Sequence, residues 1–359
     1  MAELSDASEV PDVIGVGLVG YGMASKVFHA PVIEAVPALR LRKIVERRGV
    51  ESRGRHAGAE TVREFDEVLR DDGIELVVVA TPNDSHFDLA RRALSAGKHV
   101  VVEKPFTNTS AEARGLAELA RGQNRLISAH HNRRWDGDFM TARKILEGGL
   151  LGRLVEYESH FDRYRSEPRP GAWREAEGPG GGVLYDLGSH LIDQALVLFG
   201  LPDEITADVR TRREFAKAAD SFDVRLGYDR LSVTLKATML AREPGPRFTL
   251  HGTEGSFVKH GLDPQEDALK LGGSPASEGW GEEPEERWGV VNTRAGGVHL
   301  RGRVETLAGD YAAYYRNVAD AIRGRAELTV RPEEAADTIR VIELALESSA
   351  SKRTLPFTP

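Results

Sequence analysis

The sequence predicts an α/β protein that has a doubly wound parallel sheet in its first part and a large open, mostly antiparallel sheet in its second. Three observations lead to this fold class. Between Val13 and Ala129, runs of consecutive apolar residues alternate with amphipathic stretches. After about Asn132, apolar and polar residues alternate within each run. The chain has 359 residues, which at about 150 residues per domain indicates two domains.

The first part has the pattern of repeated strand–helix units. Consecutive apolar residues are typical of strands that are buried on both faces. Such runs lie at 13–19, 39–46, 74–80, 99–103 and 126–129. Helix-like stretches lie between them at 24–36, 87–96 and 111–121. Strands that alternate with helices pair in parallel through right-handed crossovers.

The second part has an α+β pattern. Alternating runs predict strands with one buried face and lie at 155–164, 205–214, 221–228, 231–240 and 247–252. Asp229 and Arg230 between two of these runs predict a short hairpin. The stretch 263–297 is rich in Gly, Pro and acidic residues and predicts a long surface loop. Two helices are expected after it, at 311–323 and 332–349.

The predicted boundaries are a flexible tail at residues 1–11, a first domain at 12–130 and a second domain at 131–359. The tail lacks the basic start and the apolar stretch of a signal peptide. Apolar windows elsewhere are far shorter than the roughly 20 residues that span a bilayer. We therefore expect a cytoplasmic protein that does not bind membranes.

Composition disfavours several classes of function. The formal net charge is −8, with 48 basic and 56 acidic residues interspersed, which argues against binding to nucleic acid. Cysteine is absent, which excludes disulfides, thiolate metal sites and cysteine nucleophiles. No metal site is predicted.

A glycine-rich loop follows the first predicted strand. The pattern G-x-G-x-x-G occurs at Gly15, Gly17 and Gly20, but it lies within the strand, where it cannot turn the chain. A register that begins at Gly20 puts the turn after the strand, as a dinucleotide site requires. We expect this loop and the following helix to bind a pyrophosphate, although a simple strand–helix turn is the alternative. The loop consists of Gly20, Tyr21, Gly22, Met23, Ala24 and, in place of a third glycine, Ser25.

The end of the second predicted strand bears on the choice of nicotinamide cofactor. Glu46 stands where an acidic residue would hold the adenosine ribose of NAD. Arg47 and Arg48 follow directly and could pair with the 2′-phosphate of NADP. The same three residues could also be solvated charges. We predict an NAD(P) site and favour NADP slightly.

Two further strand ends carry residues suited to hydride transfer. In open α/β sheets, ligands bind beyond the carboxyl ends of the strands. One such end carries Glu103, Lys104 and Pro105, and the proline restricts the backbone so that Lys104 has a defined direction. The other is expected on the nicotinamide side and carries Thr81, Pro82, Asn83 and His86.

A third segment, at 180–200, leads from a glycine run into a predicted helix. Asp186 and His190 are four residues apart, so they share one face of that helix. His190 has a side chain that titrates near neutral pH and can take the proton of an alcohol. Asp186 could orient this imidazole, and Lys104 could polarise the substrate oxygen or relay protons. A capping pair on the surface and a pair of metal ligands are the alternatives for Asp186 and His190.

The order of these motifs resembles the Gfo/Idh/MocA family of oxidoreductases over nearly the whole chain. The segments 130–139, 184–194 and 245–261 resemble more narrowly the branch that contains NADP-dependent scyllo-inositol dehydrogenase. The resemblance implies a Rossmann domain, a second α/β domain, and homodimers or homotetramers formed through the second sheet. It also implies redox of sugars, polyols or their keto forms. By the same resemblance, Lys104, Asp186 and His190 are catalytic and Glu103 lies on the cofactor side.

Candidate substrate-binding residues combine hydrogen-bond donors with aromatic faces, as a polyhydroxylated ring requires. Besides Asp186 and His190, they are Asn132, Arg133, Arg134, Trp135, Tyr164, Arg165, Trp173 and Arg174. Ordinary ion pairs and buried anchors are the alternative. The predicted function is an NAD(P)-dependent dehydrogenase that acts on the CH–OH group of a cyclic polyol, sugar or keto-sugar, such as an inositol. A non-catalytic dinucleotide sensor and an NAD-dependent glycosidase are the competing hypotheses.

Overall fold

A computed structural model of the chain describes residues 13–169, 171, 175, 178 and 180–358. The predicted tail at residues 1–11 lies outside these ranges, and so do Trp173 and Arg174. Within the described ranges, no helix is long and apolar enough to cross a membrane.

The first part of the chain forms a six-stranded sheet in which all pairs are parallel, as the apolar runs predict. Its strands are β1 (Ile14–Val19), β2 (Leu39–Val45), β3 (Glu60–Val62), β4 (Leu76–Val79), β5 (His99–Val102) and β6 (Ile127–Ala129). The order across the sheet is β3-β2-β1-β4-β5-β6. Every residue of β1 and β4 is buried, which explains why these runs are apolar throughout. The short β3 has one buried residue and no apolar run to predict it.

Helices connect these strands. They are α1 (Ala30–Glu34), α2 (Phe65–Leu69), α3 (His86–Ser95) and α4 (Ser110–Gly122). The helix predicted over 24–36 is divided, because a wide π-helical turn at Ser25–His29 precedes α1. Pro31 has no N–H for the carbonyl of Val27 four residues earlier, which favours this wider turn.

The second part of the chain forms a nine-stranded sheet. Its strands are β7 (Leu154–His160), β8 (Glu204–Arg210), β9 (Ser221–Tyr228), β10 (Leu231–Thr238), β11 (Phe248–Gly252), β12 (Gly255–Lys259), β13 (Gly289–Ala295), β14 (Val298–Val304) and β15 (Leu355–Pro356). The order is β14-β13-β12-β11-β7-β10-β9-β8-β15. Only β7 and β10 pair in parallel; the other pairs are antiparallel. The predicted hairpin at Asp229 and Arg230 joins β9 to β10.

The prediction of one long surface loop over 263–297 is wrong. A helix, α7 (Gln265–Lys270), lies within it, and β13 pairs with β12 and β14 at the edge of the nine-stranded sheet. Val291 and Thr293 are buried, so β13 does alternate. The glycines and acidic residues around this strand hide its short pattern.

The described second part of the chain has four longer helices. They are α5 (Gly137–Glu147), α6 (Ser189–Phe199), α8 (Tyr311–Ile322) and α9 (Pro332–Ser351). Of these, α5 and α6 pack under the nine-stranded sheet, whereas α8 and α9 enter the core of the parallel sheet. Tyr311, Tyr314 and Tyr315 of α8 are buried in the apolar cluster of the parallel sheet. Helix α9 contributes Ala335 to that cluster and Ile342 to the cluster under the nine-stranded sheet. Because one helix enters both cores, it holds the two sheets together at a defined junction.

Candidate active site

A cleft of about 230 Å³ lies at the junction of the two sheets. The parallel sheet contributes the glycine loop after β1 and the residues after β5, both at the carboxyl edge of the sheet. The second part of the chain contributes the turn before α6 and the start of α6 itself. Residues predicted for the cofactor and for catalysis meet here, namely Met23, Ala24, Glu103, Lys104, Asp186 and His190.

The glycine loop has a shape that fits the pyrophosphate of a dinucleotide. Gly20 has a φ of +94°, and a Cβ there would lie 2.7 Å from the Ala80 carbonyl oxygen, so a side chain is excluded. A Cβ on Gly22 would meet no atom within 4 Å, so the loop is open at that point. Ser25 donates its hydroxyl to the Gly20 carbonyl at 2.7 Å, which ties the start of the helix to the end of the strand. Amides at the start of a helix are available to an anion.

The carboxylate of Glu46 is turned into the loop that follows β2. It is buried and accepts hydrogen bonds from the Glu51 amide at 3.1 Å, the Ser52 amide at 3.1 Å and the Ser52 hydroxyl at 2.7 Å. Burial opposes ionisation, but these hydrogen bonds outweigh it and lower the pKa of Glu46. Its acceptor positions are therefore used within the protein, whereas Arg47 and Arg48 are exposed.

The side chains after β4 bind other parts of the protein. Asn83 is buried and donates to the Gly180 carbonyl at 3.0 Å, which ties the parallel sheet to the glycine run before α6. The ring nitrogens of His86 lie 2.9 Å from the Pro105 carbonyl oxygen and 3.0 Å from that of Thr81. Burial lowers the pKa of His86. His86 therefore joins the segments that follow β4 and β5, and Asn83 joins the segment after β4 to the second domain.

Tyr21 and Pro82 lie beside these segments, away from the cleft. The Tyr21 hydroxyl is 2.8 Å from Nε2 of His56, whose Nδ1 is 2.7 Å from a carboxylate oxygen of Glu34. Pro82 is exposed. Among the described residues, neither contributes to the cleft lining.

Glu103 lies in a buried cluster with two histidines. Its Oε1 is 3.1 Å from Nδ1 of His130 and 3.3 Å from Nε2 of His29. The Tyr315 hydroxyl is 2.6 Å from the other ring nitrogen of His29. Burial alone would raise the pKa of Glu103, but the hydrogen bonds from the histidines hold it well below its ordinary range. Glu103, His29 and His130 each offer one atom that could bind a metal ion, and these three atoms lie within 4.8 Å of one another.

Lys104 joins the parallel sheet to the segment before α6. Its Nζ donates to Oδ1 and to the carbonyl oxygen of Asp186, each at 2.7 Å. An ammonium group has three N–H donors, so one remains for a ligand in the cleft. The interpretation that Asp186 orients His190 is wrong, because no hydrogen bond joins these two side chains in the described structure. Asp186 positions Lys104 instead.

His190 is a buried imidazole at the cleft. Its Nδ1 has no hydrogen-bond partner among the described residues. Burial and then the positive charges of Lys104 and Arg133 hold the pKa of His190 well below its ordinary range. The imidazole is therefore neutral at pH 7, the state in which it can accept a proton.

The two halves of the chain match two models of one protein family. Residues 14–131 match the oxidoreductase family's NAD-binding Rossmann fold, and residues 143–357 match its C-terminal alpha/beta domain. The chain belongs to the Gfo/Idh/MocA family of oxidoreductases. The predicted family, fold class and enzyme class, an NAD(P)-dependent dehydrogenase, are confirmed.

Proteins similar to this Gfo/Idh/MocA oxidoreductase match it over nearly their full length. The scyllo-inositol 2-dehydrogenase (NADP(+)) IolW of Bacillus subtilis is 41% identical over 344 residues, which cover 96% of each chain. The oxidoreductase YdgJ of Escherichia coli is 44% identical over 344 residues, covering 96% of this chain and 99% of that one. The solved structure of the oxidoreductase yvaA from Bacillus subtilis has a TM-score of 0.93 at 41% identity and covers 97% of this chain and 99% of that one.

Besides Asp186 and His190, three of the predicted substrate residues line the cleft of this Gfo/Idh/MocA oxidoreductase, namely Asn132, Arg133 and Arg165. Of these three, Asn132 and Arg133 are buried. The Arg133 guanidinium is held by Asp136 at 3.3 Å and by a short hydrogen bond to Glu266. Arg133 therefore presents a fixed positive charge at the cleft.

Among the described candidates, Arg134, Trp135 and Tyr164 do not line the cleft. Tyr164 is 46% exposed, and its hydroxyl accepts a hydrogen bond from Arg242 at 2.6 Å. Arg134 is buried in a bidentate pair with Asp193, at 2.6 and 2.9 Å, so the ion-pair alternative holds for it. Trp173 lies outside the described residues. Placing Tyr164 in the substrate site is a prediction that the geometry contradicts, because its segment alternates and directs this residue outward.

The cleft contains a set of charged residues that sequence reasoning missed. They are Arg163, Arg169, Glu175, Arg213, Asp220 and Glu266. With the candidate Arg165, the arginines 163, 165, 169 and 213 form what we call the arginine arm, on the second-domain side of the cleft. Arg163 and Arg165 are two residues apart in an extended segment and so share a face, which is the signal that could have found them.

Proposed function

We propose that this chain transfers a hydride between NADP and a ring carbon of a cyclic polyol, sugar or keto-sugar, with Lys104 and His190 as acid–base groups. The observation that carries the proposal is the hydrogen bonding of Lys104. Two of its donors are held by Asp186 at 2.7 Å, which leaves one for the reacting oxygen of a substrate in the cleft.

Lys104 and His190 have complementary roles in the proposed reaction. Lys104 donates to the substrate oxygen and stabilises the negative charge that develops there as the C–H bond breaks. Neutral His190 accepts the hydroxyl proton during oxidation and returns a proton during reduction. When bound, the nicotinamide cofactor accepts or supplies the hydride. Asp186 keeps the Lys104 ammonium in the direction that both steps need.

The preferred cofactor in this proposal is NADP. The Glu46 carboxylate is engaged by Glu51 and Ser52, so Arg47 and Arg48 remain at the end of β2 to pair with a 2′-phosphate. The dissociation constants of NADPH and NADH test this choice in the wild type and in Arg48→Ala. We expect the NADPH affinity to fall about tenfold and the NADH affinity to stay unchanged. An unchanged NADPH affinity would show that Arg48 is not a phosphate ligand.

Nicotinamide absorbance with a panel of inositols, inososes and sugars, both neutral and acidic, tests the reaction itself. The proposal predicts an absorbance change with at least one compound and its loss in Lys104→Met and His190→Asn. No change with any compound, together with tight cofactor binding, would favour the non-catalytic sensor. Release of free sugar from aryl glycosides would favour the NAD-dependent glycosidase.

The proposal includes self-association through the nine-stranded sheet, as a homodimer or homotetramer. Along β9, Val224 and Leu226 are buried on the face that the helices cover. Arg225 between them is exposed on the other face, which is free to meet a second copy. Light scattering at micromolar protein concentration tests this, and a monomer mass would contradict it.

A further inference from the structure

The carboxylates around the arginine arm already have cationic partners. Glu175 accepts from Arg165 at 3.1 Å and from Arg213 at 2.9 Å, and it also accepts from the amide of Arg169 at 3.2 Å. Asp220 accepts from the Arg213 side chain at 2.9 Å. The carboxylates of Glu175 and Asp220 are therefore paired with the guanidinium groups of Arg165 and Arg213.

The remaining carboxylates of the cleft are also occupied. Glu266 is held by Arg133 and by Lys270 at 2.7 Å. Asp186 is held by Lys104 at 2.7 Å. Glu103 faces its two buried histidines. Each of these carboxylates therefore already has a direct polar partner, and Glu266 is shared between Arg133, Lys270 and the more distant charge of Arg163.

Arg163 and Arg169 are the two members of the arginine arm without an ion-pair partner among the described residues, although the charge of Arg163 does help to lower the pKa of the nearby Glu266. In the part of the chain that the structure describes, neither guanidinium forms an ion pair or a hydrogen bond. Arg163 is half-buried, and Arg169 lies at the mouth of the cleft. Burial and the charges of both residues lower the pKa of Arg165, so the three guanidinium groups are close enough to repel one another.

Binding a neutral substrate beside Arg163 and Arg169 would be energetically unfavourable. As it enters, it removes water from two guanidinium groups without supplying negative charge, and unpaired charges are costly to desolvate. An anionic group would instead form charge-assisted, bidentate hydrogen bonds with them. The cofactor pyrophosphate is an unsuitable partner, because its expected place is the glycine loop after β1, on the other side of the cleft.

We propose that the substrate carries a carboxylate or phosphate group, which Arg163 and Arg169 bind while its reacting hydroxyl lies at Lys104. This inference rests on the proposed function and narrows its substrate class from polyols and sugars in general to acidic sugars or polyol phosphates. The arginine arm thus selects the substrate by charge, and Lys104 with His190 acts on the carbon at the other end.

Titration calorimetry on the full chain saturated with NADP tests the inference without relying on turnover. The probes are a hexuronate, a hexose 6-phosphate and the matching neutral hexose. We expect one anionic probe to bind at least about tenfold more tightly than the neutral one, and its affinity to fall between about 50 and 200 mM salt. Arg163→Gln should lower that affinity about tenfold or more, and Arg163→Lys should retain most of it. Arg301→Gln, on exposed β14, is the matched control and should change no affinity.

The outcomes separate this inference from the proposed function. Equal binding of all three probes, or equal effects of Arg163→Gln and Arg301→Gln, would overturn the inference. Oxidation of neutral polyols with no preference for an anion would also overturn it and leave the proposed function standing. Anion binding that depends on Arg163, with no redox activity on any compound, would support the inference and contradict the function. Arg169→Gln, at the exposed end of the arm, repeats the test should Arg163→Gln lower the melting temperature.

Discussion

Lys104 and Asp186 are 82 residues apart in the chain and form a direct bond across the junction of the two sheets. The Lys104 Nζ lies 2.7 Å from Oδ1 and 2.7 Å from the carbonyl oxygen of Asp186. Lys104 follows β5 of the parallel sheet, and Asp186 lies in the turn before α6. One domain therefore supplies the ammonium group, and the other domain sets its direction.

Replacing Lys104 by Met should abolish most of the activity. It removes the donor to the substrate oxygen, and general acid–base groups contribute roughly 10²- to 10⁴-fold, so kcat should fall within that range. Asp186→Asn should have a smaller effect, because an amide oxygen still accepts a hydrogen bond from Lys104. The control is Lys144→Met on the exposed face of α5. Wild-type kcat in Lys104→Met would contradict the assigned role.

The pH dependence of the oxidation should reflect the buried state of His190. Burial and the Lys104 charge lower the pKa of His190 below its ordinary value of 6.5, so the imidazole stays neutral at pH 6.5 and becomes protonated only at lower pH. The acid limb of kcat/KM should therefore lie below pH 6.5. NMR titration of labelled histidine should show the pKa of His190 rising in Lys104→Met, because a nearby positive charge is removed. An acid limb above pH 6.5 would contradict this assignment.

Replacing Glu46 by Ala should destabilise the protein without weakening NADH binding. Its carboxylate accepts three hydrogen bonds from Glu51 and Ser52, and the loss of buried hydrogen bonds of this kind costs about 1–3 kcal/mol in the free energy of unfolding. Urea unfolding and NADH titration measure the two effects. Glu118→Ala, an exposed carboxylate on α4, is the control. A large loss of NADH affinity at unchanged stability would mean that Glu46 holds the ribose.

The stability of the fold should depend on Glu266 in acid. Burial would raise the pKa of Glu266, but Arg133 and Lys270 outweigh it and hold the pKa at about 2, below the ordinary 4.5. A lowered folded-state pKa gives stability that is complete above pH 4.5 and lost as the pH falls toward 2, in this case about 3 kcal/mol. Unfolding free energies from pH 7 to pH 2.5 should therefore fall more steeply in the wild type than in Glu266→Gln. Parallel curves would contradict the prediction.

Most of the parallel sheet could be predicted because its strands are buried on both faces. β1 and β4 are apolar at every position, so their pattern does not depend on what packs against them. β3 and β13 could not be predicted, since β3 has three residues and β13 lies among glycines and acidic residues. In these strands, pairing with a neighbour compensates for a weak local pattern.

The candidate site was predictable in its residue types but not in its pairings. The glycine loop, Lys104 and His190 follow local patterns and do meet at one cleft. The partner of Asp186 was predicted incorrectly, because helical spacing indicates which residues share a face and not which side chain arrives from another domain. The direction of the Glu46 side chain could not be predicted either. Its place at the end of a strand does not show that its carboxylate turns into the loop that follows.

The sequence by itself determined the family, the fold class and the segments that carry the chemistry, because glycine turns, apolar runs and motif order are local properties of the chain. Only the tertiary structure decided which charges are satisfied. It pairs Asp186 with Lys104, encloses Glu46 within its loop and turns Tyr164 away from the cleft. Among the described residues, it leaves Arg163 and Arg169 without an ion-pair partner. Pairing of charges depends on distances between residues remote in the chain, and those distances exist only once the two sheets are packed together.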